Sequence, residues 1–219
     1  MKYKCLILDH DDTVVNSTAS IHYPSFIEYL KYTRPDCVKS YTLEGFIRKN
    51  FTPGIVSLFR DELGMSDSEM AEEQKFWEKF VKTRIPKAYT GIKEIIERFV
   101  ALGGTVAVAS HSLEKFILRD YEHNSLPMPH RIYGSDLPKD KIKPSPYAVN
   151  ELIREYGFAP SEMLMVDDLK TGFDMARAAG IDFAAAGWSS DVPEIEAFMR
   201  EHSDYYLKTT DELSKLLFG

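Results

Sequence analysis

The stretch CLILDHDDTVV, residues 5–15, decides the fold of this chain of 219 residues. Four consecutive apolar residues are followed at once by an acidic cluster. A short apolar run that ends in polar residues is typical of a buried parallel strand that opens into a loop. Asp9 and Asp11 lie two positions apart, so in extended backbone their side chains point the same way, while His10 points elsewhere. The stretch therefore predicts a first strand with two carboxylates sharing one site beyond it.

The next 70 or so residues show only helical spacing of apolar side chains. The expected helices are Ile21 to Tyr32, Leu43 to Asn50, Pro53 to Leu63 and Ser68 to Arg84. After Pro86, helices and apolar strands alternate, which is typical of an α/β protein. We therefore expect a three-layer, Rossmann-like core with a parallel sheet, made from residues 1–16 and 87–219. Residues 17–86 are expected to form an all-helical cap domain inserted after the first strand.

Polar residues follow two further apolar strands that the sequence predicts. Ser110 and His111 come after the strand Thr105 to Ala109, and the pair Asp167-Asp168 comes after the strand Glu162 to Val166. Ligands of open parallel sheets bind beyond the carboxyl ends of the strands. We therefore expect these residues to meet the acidic cluster of the first strand.

Four carboxylates in one crevice predict a metal site. Like charges this close repel strongly, and oxygen ligands at this density suit Mg²⁺. The candidate ligands are Asp9, Asp11, Asp167 and Asp168. The alternative is structural, since aspartates often occupy turns and cap helices, and Asp167-Asp168 precede a helix expected at Phe173 to Ala179. That helix start lies rather far downstream for good capping.

The segment Ser110-His111-Ser112 offers hydroxyl and backbone N–H donors near the start of a helix, where a phosphate could be held. This predicts a contribution of Ser110 and His111 to substrate binding. The competing interpretation is an ordinary helix N-cap, for which Ser112 is a fair candidate.

Lys143 lies in the loop KDKIKPSP, residues 139–146. Pro144 restricts the residue before it to extended geometry, so Lys143 is held more firmly than its neighbours. A lysine held in this way can neutralise a phosphoryl group or a carboxylate. Lys139 and Lys141 are rivals, and a solvated basic loop is the alternative.

Composition excludes several classes of function. The formal charge of −7 and the absence of a Lys/Arg cluster argue against nucleic-acid binding. Two cysteines, Cys5 and Cys37, do not suggest a disulfide scaffold. No apolar run suits a signal peptide or a membrane span. We expect a cytoplasmic protein that binds neither nucleic acid nor membrane, and the sequence favours neither a monomer nor a homodimer.

Taken together, these segments resemble the four ordered signature motifs of the haloacid dehalogenase superfamily. The motifs are LILDHDDTVV, VAVAS ending at Ser110, Lys143-Pro144, and MLMVDDLKTGFDMARAAGI with Asp167 and Asp168. The chain departs from the family pattern at two places. Asp12 stands where the family usually has glycine, and Gly172 stands where many relatives have a further acidic residue. The second departure resembles the branch with adjacent acidic residues, in which Asp167 would replace the missing carboxylate.

The resemblance implies a two-step phosphoryl transfer. Asp9 would attack phosphorus to form an aspartyl phosphate, and Asp11 would act as the general acid and then the general base. Mg²⁺ would be bound by the Asp9 carboxylate, the Asp11 backbone carbonyl and Asp168, with help from Asp167. The phosphoryl oxygens would be bound by Ser110 and Lys143.

The leading hypothesis is therefore a magnesium-dependent phosphatase for a small phosphorylated metabolite, of the phosphoglycolate or sugar phosphate class. The branch with adjacent acidic residues leaves open a phosphomutase similar to β-phosphoglucomutase. A dehalogenase is not expected, because such relatives lack an aspartate at the position of Asp11. The alternative from another class is a binding module that has kept the fold and lost turnover.

Overall fold

The computed structural model describes residues 1–219, which divide into two compact units. The first, which we call the sheet unit, comprises Met1–Asn16 and Lys87–Gly219. The second, which we call the helical unit, comprises Ser17–Pro86. None of the helices in either unit is long and apolar enough to span a membrane.

The sheet unit is built on six parallel strands in the order β5-β4-β1-β6-β7-β8. They are β1 (Cys5–Leu8), β4 (Thr105–Ala109), β5 (Arg131–Tyr133), β6 (Met163–Asp167), β7 (Asp182–Ala186) and β8 (Tyr205–Leu207). The strand β1 lies between β4 and β6, with Leu8 in register with Val108 and Val166. The carboxyl ends of these three strands therefore lie side by side, which confirms the predicted fold class and positions the site.

Helices alternate with these strands, as in other α/β sheets. They are α5 (Ile92–Ala101), α6 (Glu114–His123), α7 (Tyr147–Tyr156), α8 (Lys170–Ala179), α9 (Pro193–His202) and α10 (Thr210–Phe218). In α5, Ile92, Ile95, Ile96 and Phe99 recur at helical spacing and are all buried in the core beneath the sheet. The helix α8 begins three residues earlier than expected, at Lys170. The aspartate pair is therefore nearer to its start than the sequence indicated.

A two-stranded antiparallel ribbon, not expected from the sequence, joins β2 (Val15–Asn16) to β3 (Lys87–Ala88). Its two strands stand where the chain leaves the sheet unit and where it returns. Strands of two residues are too short to show a periodic pattern, so they could not be predicted from the sequence. The ribbon ties the acidic turn after β1 to the segment that precedes α5.

The helical unit contains α1 (Tyr23–Thr33), α2 (Leu43–Phe51), α3 (Ile55–Ser57) and α4 (Asp67–Lys82). A capping box between Ser66 and Glu69 starts α4. The single helix expected at Pro53 to Leu63 is wrong in detail. Gly54 adopts a positive φ of 108°, α3 follows for three residues, and the chain then continues in a wider π-helical turn. The unit has its own aromatic core, with Phe26 packed among Tyr41, Phe46 and Phe59.

Candidate active site

The acidic residues after β1 lie in a tight turn. The Asp9 N–H donates to the Val166 carbonyl at 2.9 Å, so the strand pairing continues to this residue. The His10 carbonyl then accepts from the N–H groups of Val14 and Val15 at 3.0 and 3.1 Å. These bonds fold the chain back on itself and leave Asp9 only 3% exposed. The turn therefore fixes the backbone on both sides of the candidate nucleophile.

Three carboxylates form the centre of the site. One oxygen from each of Asp9, Asp167 and Asp168 lies within 4.8 Å of the others. Asp9 directly follows β1 and Asp167 is the last residue of β6, so sheet register brings them together. Asp11 has a different neighbour: its Oδ2 accepts a hydrogen bond from the Ser112 hydroxyl at 2.5 Å.

Lys143 is the cation of this cluster. Its Nζ donates to Asp9 Oδ1 at 2.7 Å and to Asp167 Oδ2 at 2.5 Å, and its side chain is 1% exposed. The rival lysines of the same loop are placed elsewhere, since Lys139 is exposed and Lys141 packs over the Tyr147 ring. The structure therefore brings Lys143, and not its neighbours, to the carboxylates.

Gly172 makes room for Asp167. A Cβ atom at position 172 would lie 2.1 Å from Asp167 Oδ2 and 2.5 Å from its Cβ, distances that real Cβ atoms essentially never show. Asp167 is fully buried, and its Oδ1 accepts from the Leu169 N–H at 2.7 Å. The carboxylate of Asp167 therefore occupies the space beside position 172. The structure thus places an acidic side chain near the point where the family pattern has one.

The loop after β4 supplies the polar donors. Ser110 and Ser112 are buried, while His111 between them is exposed. The Ser112 N–H donates to Ser110 Oγ at 3.0 Å, which leaves the Ser110 hydroxyl hydrogen able to turn toward a ligand. Ser112 is not the N-cap of α6, because that position is Leu113 and no side-chain cap bond is present there.

With this geometry in view, comparison with known proteins identifies the family. Residues 6–186 match the family model of the haloacid dehalogenase-like hydrolases. The chain belongs to that family. The match covers more than half of the 219 residues and includes all the carboxylates, both serines and Lys143, so it confirms the resemblance that the motifs indicated.

Two relatives of this chain are named as phosphatases. A phosphoglycolate phosphatase of Aliivibrio fischeri is 32% identical over 93 residues, which cover 42% of this chain and 40% of that protein. A phosphoglycolate phosphatase of Thiobacillus denitrificans is 23% identical over 81% of this chain and 80% of that protein. The solved structure of a Bacteroides fragilis protein named for this family superposes with a TM-score of 0.79 at 18% identity, covering 97% of this chain and 100% of that one. This last likeness shows the fold.

Asp12 is where this chain departs from the family's usual glycine, and the structure gives the backbone reason for that glycine. Asp12 has φ of 58°, in the left-handed region that glycine enters most readily and that aspartate enters more readily than most residues. Its carboxylate is mostly buried and adds to the negative charge facing Asp168. A side chain at this position is therefore accommodated with some backbone strain and some repulsion.

The electrostatics of the site favour an additional cation. Burial raises the pKa of Asp9 to about 7, with the Lys143 ammonium opposing the shift and Asp167 and Asp11 adding to it. Burial, followed by repulsion from Asp12, raises the pKa of Asp168 well above its usual value. Burial also disfavours the charged form of Lys143, yet the Asp167 and Asp9 carboxylates hold its pKa above the ordinary value. One ammonium therefore faces more negative charge than it can neutralise.

The residues present fit a hard divalent cation. Asp168 Oδ1 is inaccessible to solvent and has no hydrogen-bond partner, an expensive arrangement for a carboxylate without a further ligand. The three clustered carboxylates offer only oxygen donors, which Mg²⁺ prefers. Both oxygens of Asp167 already accept hydrogen bonds, from Lys143 and from Leu169. Asp168 and Asp9 are thus the carboxylates best placed to contact a metal directly.

A buried polar pair behind the turn was not expected from the sequence. His10 Nε2 lies 3.1 Å from Asp120 Oδ2, and both residues are almost fully buried. Arg119 Nε donates to the other oxygen of Asp120 at 2.8 Å. Alternation along the strand predicted only that His10 would point away from Asp9 and Asp11. Its partner lies 110 positions further along the chain, and no local pattern indicates that contact.

Proposed function

We propose that this protein is a magnesium-dependent phosphatase that hydrolyses a small phosphomonoester through an aspartyl phosphate on Asp9. The observation that carries the proposal is the ion-paired, buried carboxylate of Asp9 at the end of the central strand, 2.7 Å from the Lys143 ammonium. A carboxylate fixed between a lysine and further acidic groups is poised to receive a phosphoryl group whose charge the cations offset.

In the first step, a carboxylate oxygen of Asp9 forms a bond to phosphorus as the ester oxygen leaves. Asp11 donates a proton to that leaving oxygen. In the second step, Asp11 takes a proton from water, which attacks the same phosphorus and releases phosphate and free Asp9. Lys143 and the Ser110 hydroxyl bind the phosphoryl oxygens in both steps. We assign His111 to substrate binding as well, because it is exposed at the start of the same loop.

Mg²⁺ is the cofactor we propose for this site. When bound, it supplies positive charge that offsets the repulsion between carboxylates and phosphate. Asp9 and Asp168 would hold it through their side chains and Asp11 through its backbone carbonyl. Asp167 would act mainly by fixing Lys143, because both of its oxygens already accept hydrogen bonds.

We infer that the substrate is a phosphorylated acid such as phosphoglycolate or a sugar phosphate. The names of the Aliivibrio and Thiobacillus relatives support the first of these. We assign the helical unit, Ser17–Pro86, to the cap that excludes bulk water during the reaction.

A phosphomutase is the second candidate, favoured by one observation. The adjacent Asp167 and Asp168, with Gly172 in contact distance of Asp167, match the pattern of the β-phosphoglucomutase-like branch. A mutase passes the phosphoryl group from the aspartyl phosphate to a sugar hydroxyl in place of water. It would therefore accumulate a bisphosphorylated sugar during turnover.

Phosphate release from a panel of small phosphomonoesters, with and without Mg²⁺, tests the proposal. The native chain should turn over at least one of them only with the metal, and Asp9→Asn should release none. Lys141→Met, a charge removal in the same loop outside the cluster, is the matched control and should keep its activity. Turnover by Asp9→Asn would contradict the mechanism, and a bisphosphorylated product would favour the mutase.

A further inference from the structure

Ser112 has no role in the motifs, yet its side chain meets the catalytic turn. The hydroxyl donates a hydrogen bond of 2.5 Å to Asp11 Oδ2 across 101 positions of sequence. Ser112 is 5% exposed and Asp11 is half-buried, so water competes little for the hydroxyl. A short bond from a buried hydroxyl to a carboxylate is among the stronger side-chain contacts of a protein.

The backbone around Ser112 is held from two sides. Its carbonyl accepts from the Ser135 N–H at 3.0 Å, and its own N–H donates to Ser110 Oγ at 3.0 Å. Gly134 packs directly against it, because a Cβ there would lie 2.8 Å from the Ser112 carbonyl oxygen. The loops after β4 and β5 thus hold the backbone of Ser112 in place, and its hydroxyl is presented to Asp11 from a fixed position.

Helix capping does not account for this serine. The helix α6 begins at Glu114, and the Glu114 N–H, which has no partner within the helix, donates to Asp136 Oδ2 at 2.6 Å. The carboxylate of Asp136 therefore performs the capping that the sequence allowed for Ser112. The Ser112 hydroxyl is committed to Asp11.

We propose that Ser112 is a positioning residue for Asp11, an inference that rests on the proposed function of Asp11 as general acid and base. A donor held at Oδ2 favours one orientation of the carboxyl group, which aims it at the leaving oxygen. A hydroxyl can donate to a carboxylate and can also accept from a carboxylic acid. Ser112 can therefore hold Asp11 in both of its protonation states while the proton passes to and from the substrate.

The leaving group provides the test. An alkyl phosphate needs a proton on its leaving oxygen, whereas p-nitrophenyl phosphate has a leaving group stable enough to depart with little help. In Ser112→Ala the backbone N–H that orients Ser110 remains, so only the bond to Asp11 is removed. We expect kcat/KM for an alkyl phosphate to fall by roughly 10- to 100-fold, less than the roughly 100- to 10,000-fold that general acid catalysis contributes in full, because Asp11 itself remains. For p-nitrophenyl phosphate the fall should be within about threefold, as little acid catalysis is lost there.

Three further variants isolate the hydroxyl. Ser112→Thr keeps the donor and should restore most of the activity on the alkyl ester. Ser112→Cys keeps the size but has only a weak donor, so it should show the same selective loss as Ser112→Ala and carries the comparison if the alanine variant unfolds. The control Ser203→Ala removes a hydroxyl before β8, at the opposite edge of the sheet. It should leave kcat/KM unchanged for both substrates.

Each outcome has one meaning. Selective loss on the alkyl ester, with rescue by Ser112→Thr, supports the positioning role. An equal loss of kcat/KM on both substrates would assign Ser112 to folding or metal binding and overturn the inference, while leaving the phosphatase intact. Unchanged kinetics in Ser112→Ala would also overturn it. Turnover that survives in Asp9→Asn would instead refute the proposed function, and the role of Ser112 with it.

Discussion

Substituting Gly172 by alanine tests how tightly the site is built. The new Cβ would lie 2.1 Å from Asp167 Oδ2, so the Asp167 side chain has to move. That movement breaks the 2.5 Å contact with Lys143, which is buried on both sides. Breaking a buried ion pair costs about 3–5 kcal/mol, whereas alanine in place of glycine inside a helix gains about 1 kcal/mol. We therefore expect Gly172→Ala to lower the free energy of unfolding by about 2–4 kcal/mol.

A second background serves as the control. Asp167→Gly removes the obstructing side chain completely, whereas Asp167→Ala would retain a Cβ only 2.5 Å from the new one. In the Asp167→Gly chain, Gly172→Ala should raise the free energy of unfolding by about 1 kcal/mol, the helix-propensity gain alone.

Urea denaturation of the four chains, followed by circular dichroism, gives the coupling between the two positions. The expected coupling is about 3–5 kcal/mol, the size of the broken ion pair. An equal effect of Gly172→Ala in both backgrounds would refute the steric argument. It would also remove the structural reason for the glycine.

Three further predictions follow from the charges and the backbone of the site. Lys143→Met leaves buried carboxylates uncompensated and should lower the free energy of unfolding by about 3–5 kcal/mol without metal, as measured by urea titration. In the same titration the control, Lys170→Met, which breaks a half-exposed pair with Asp174, should lower it by under about 1 kcal/mol. Asp12→Gly removes both the backbone strain of a left-handed aspartate and the repulsion from one carboxylate, so it should raise the thermal midpoint. The control, Ser125→Gly, removes only backbone strain at φ of 52° and should raise the midpoint less. Equal shifts would contradict this prediction. Because the pKa of Asp9 is raised to about 7, the folded chain without metal keeps a proton up to about pH 7, whereas the unfolded chain releases it near pH 4. The free energy of unfolding therefore falls as the pH rises from about 4 to about 7. Mg²⁺ should therefore raise the thermal midpoint more at pH 8 than at pH 5, and calorimetry that shows the opposite order would count against the site.

The sheet and the centre of the site were predictable because short stretches of sequence determine them. The apolar run before Asp9 and the one before Asp167 each indicate a buried strand with an aspartate at its carboxyl end. Parallel strands that share an edge then bring these residues together without further information. The proline after Lys143 likewise singled out the lysine that the structure places beside Asp9.

Contacts between distant side chains were not predictable. The bond from Ser112 to Asp11 and the pair of His10 with Asp120 join residues more than 100 positions apart. From the sequence, capping of the following helix was enough to explain Ser112. The structure excludes that explanation, because Asp136 accepts from the first N–H of α6 instead. The early start of α8 was missed because its first residues are polar and add nothing to an apolar pattern.

The most direct test of the central claim is to look for the phosphorylated aspartate itself. The native chain is mixed with Mg²⁺ and a phosphomonoester that it hydrolyses, quenched in acid during turnover, digested, and analysed by mass spectrometry. We predict a phosphoryl group on Asp9 that hydroxylamine removes and that is absent from the Asp9→Asn chain. Turnover with the phosphoryl group on another residue, or undiminished turnover by Asp9→Asn, would contradict the account.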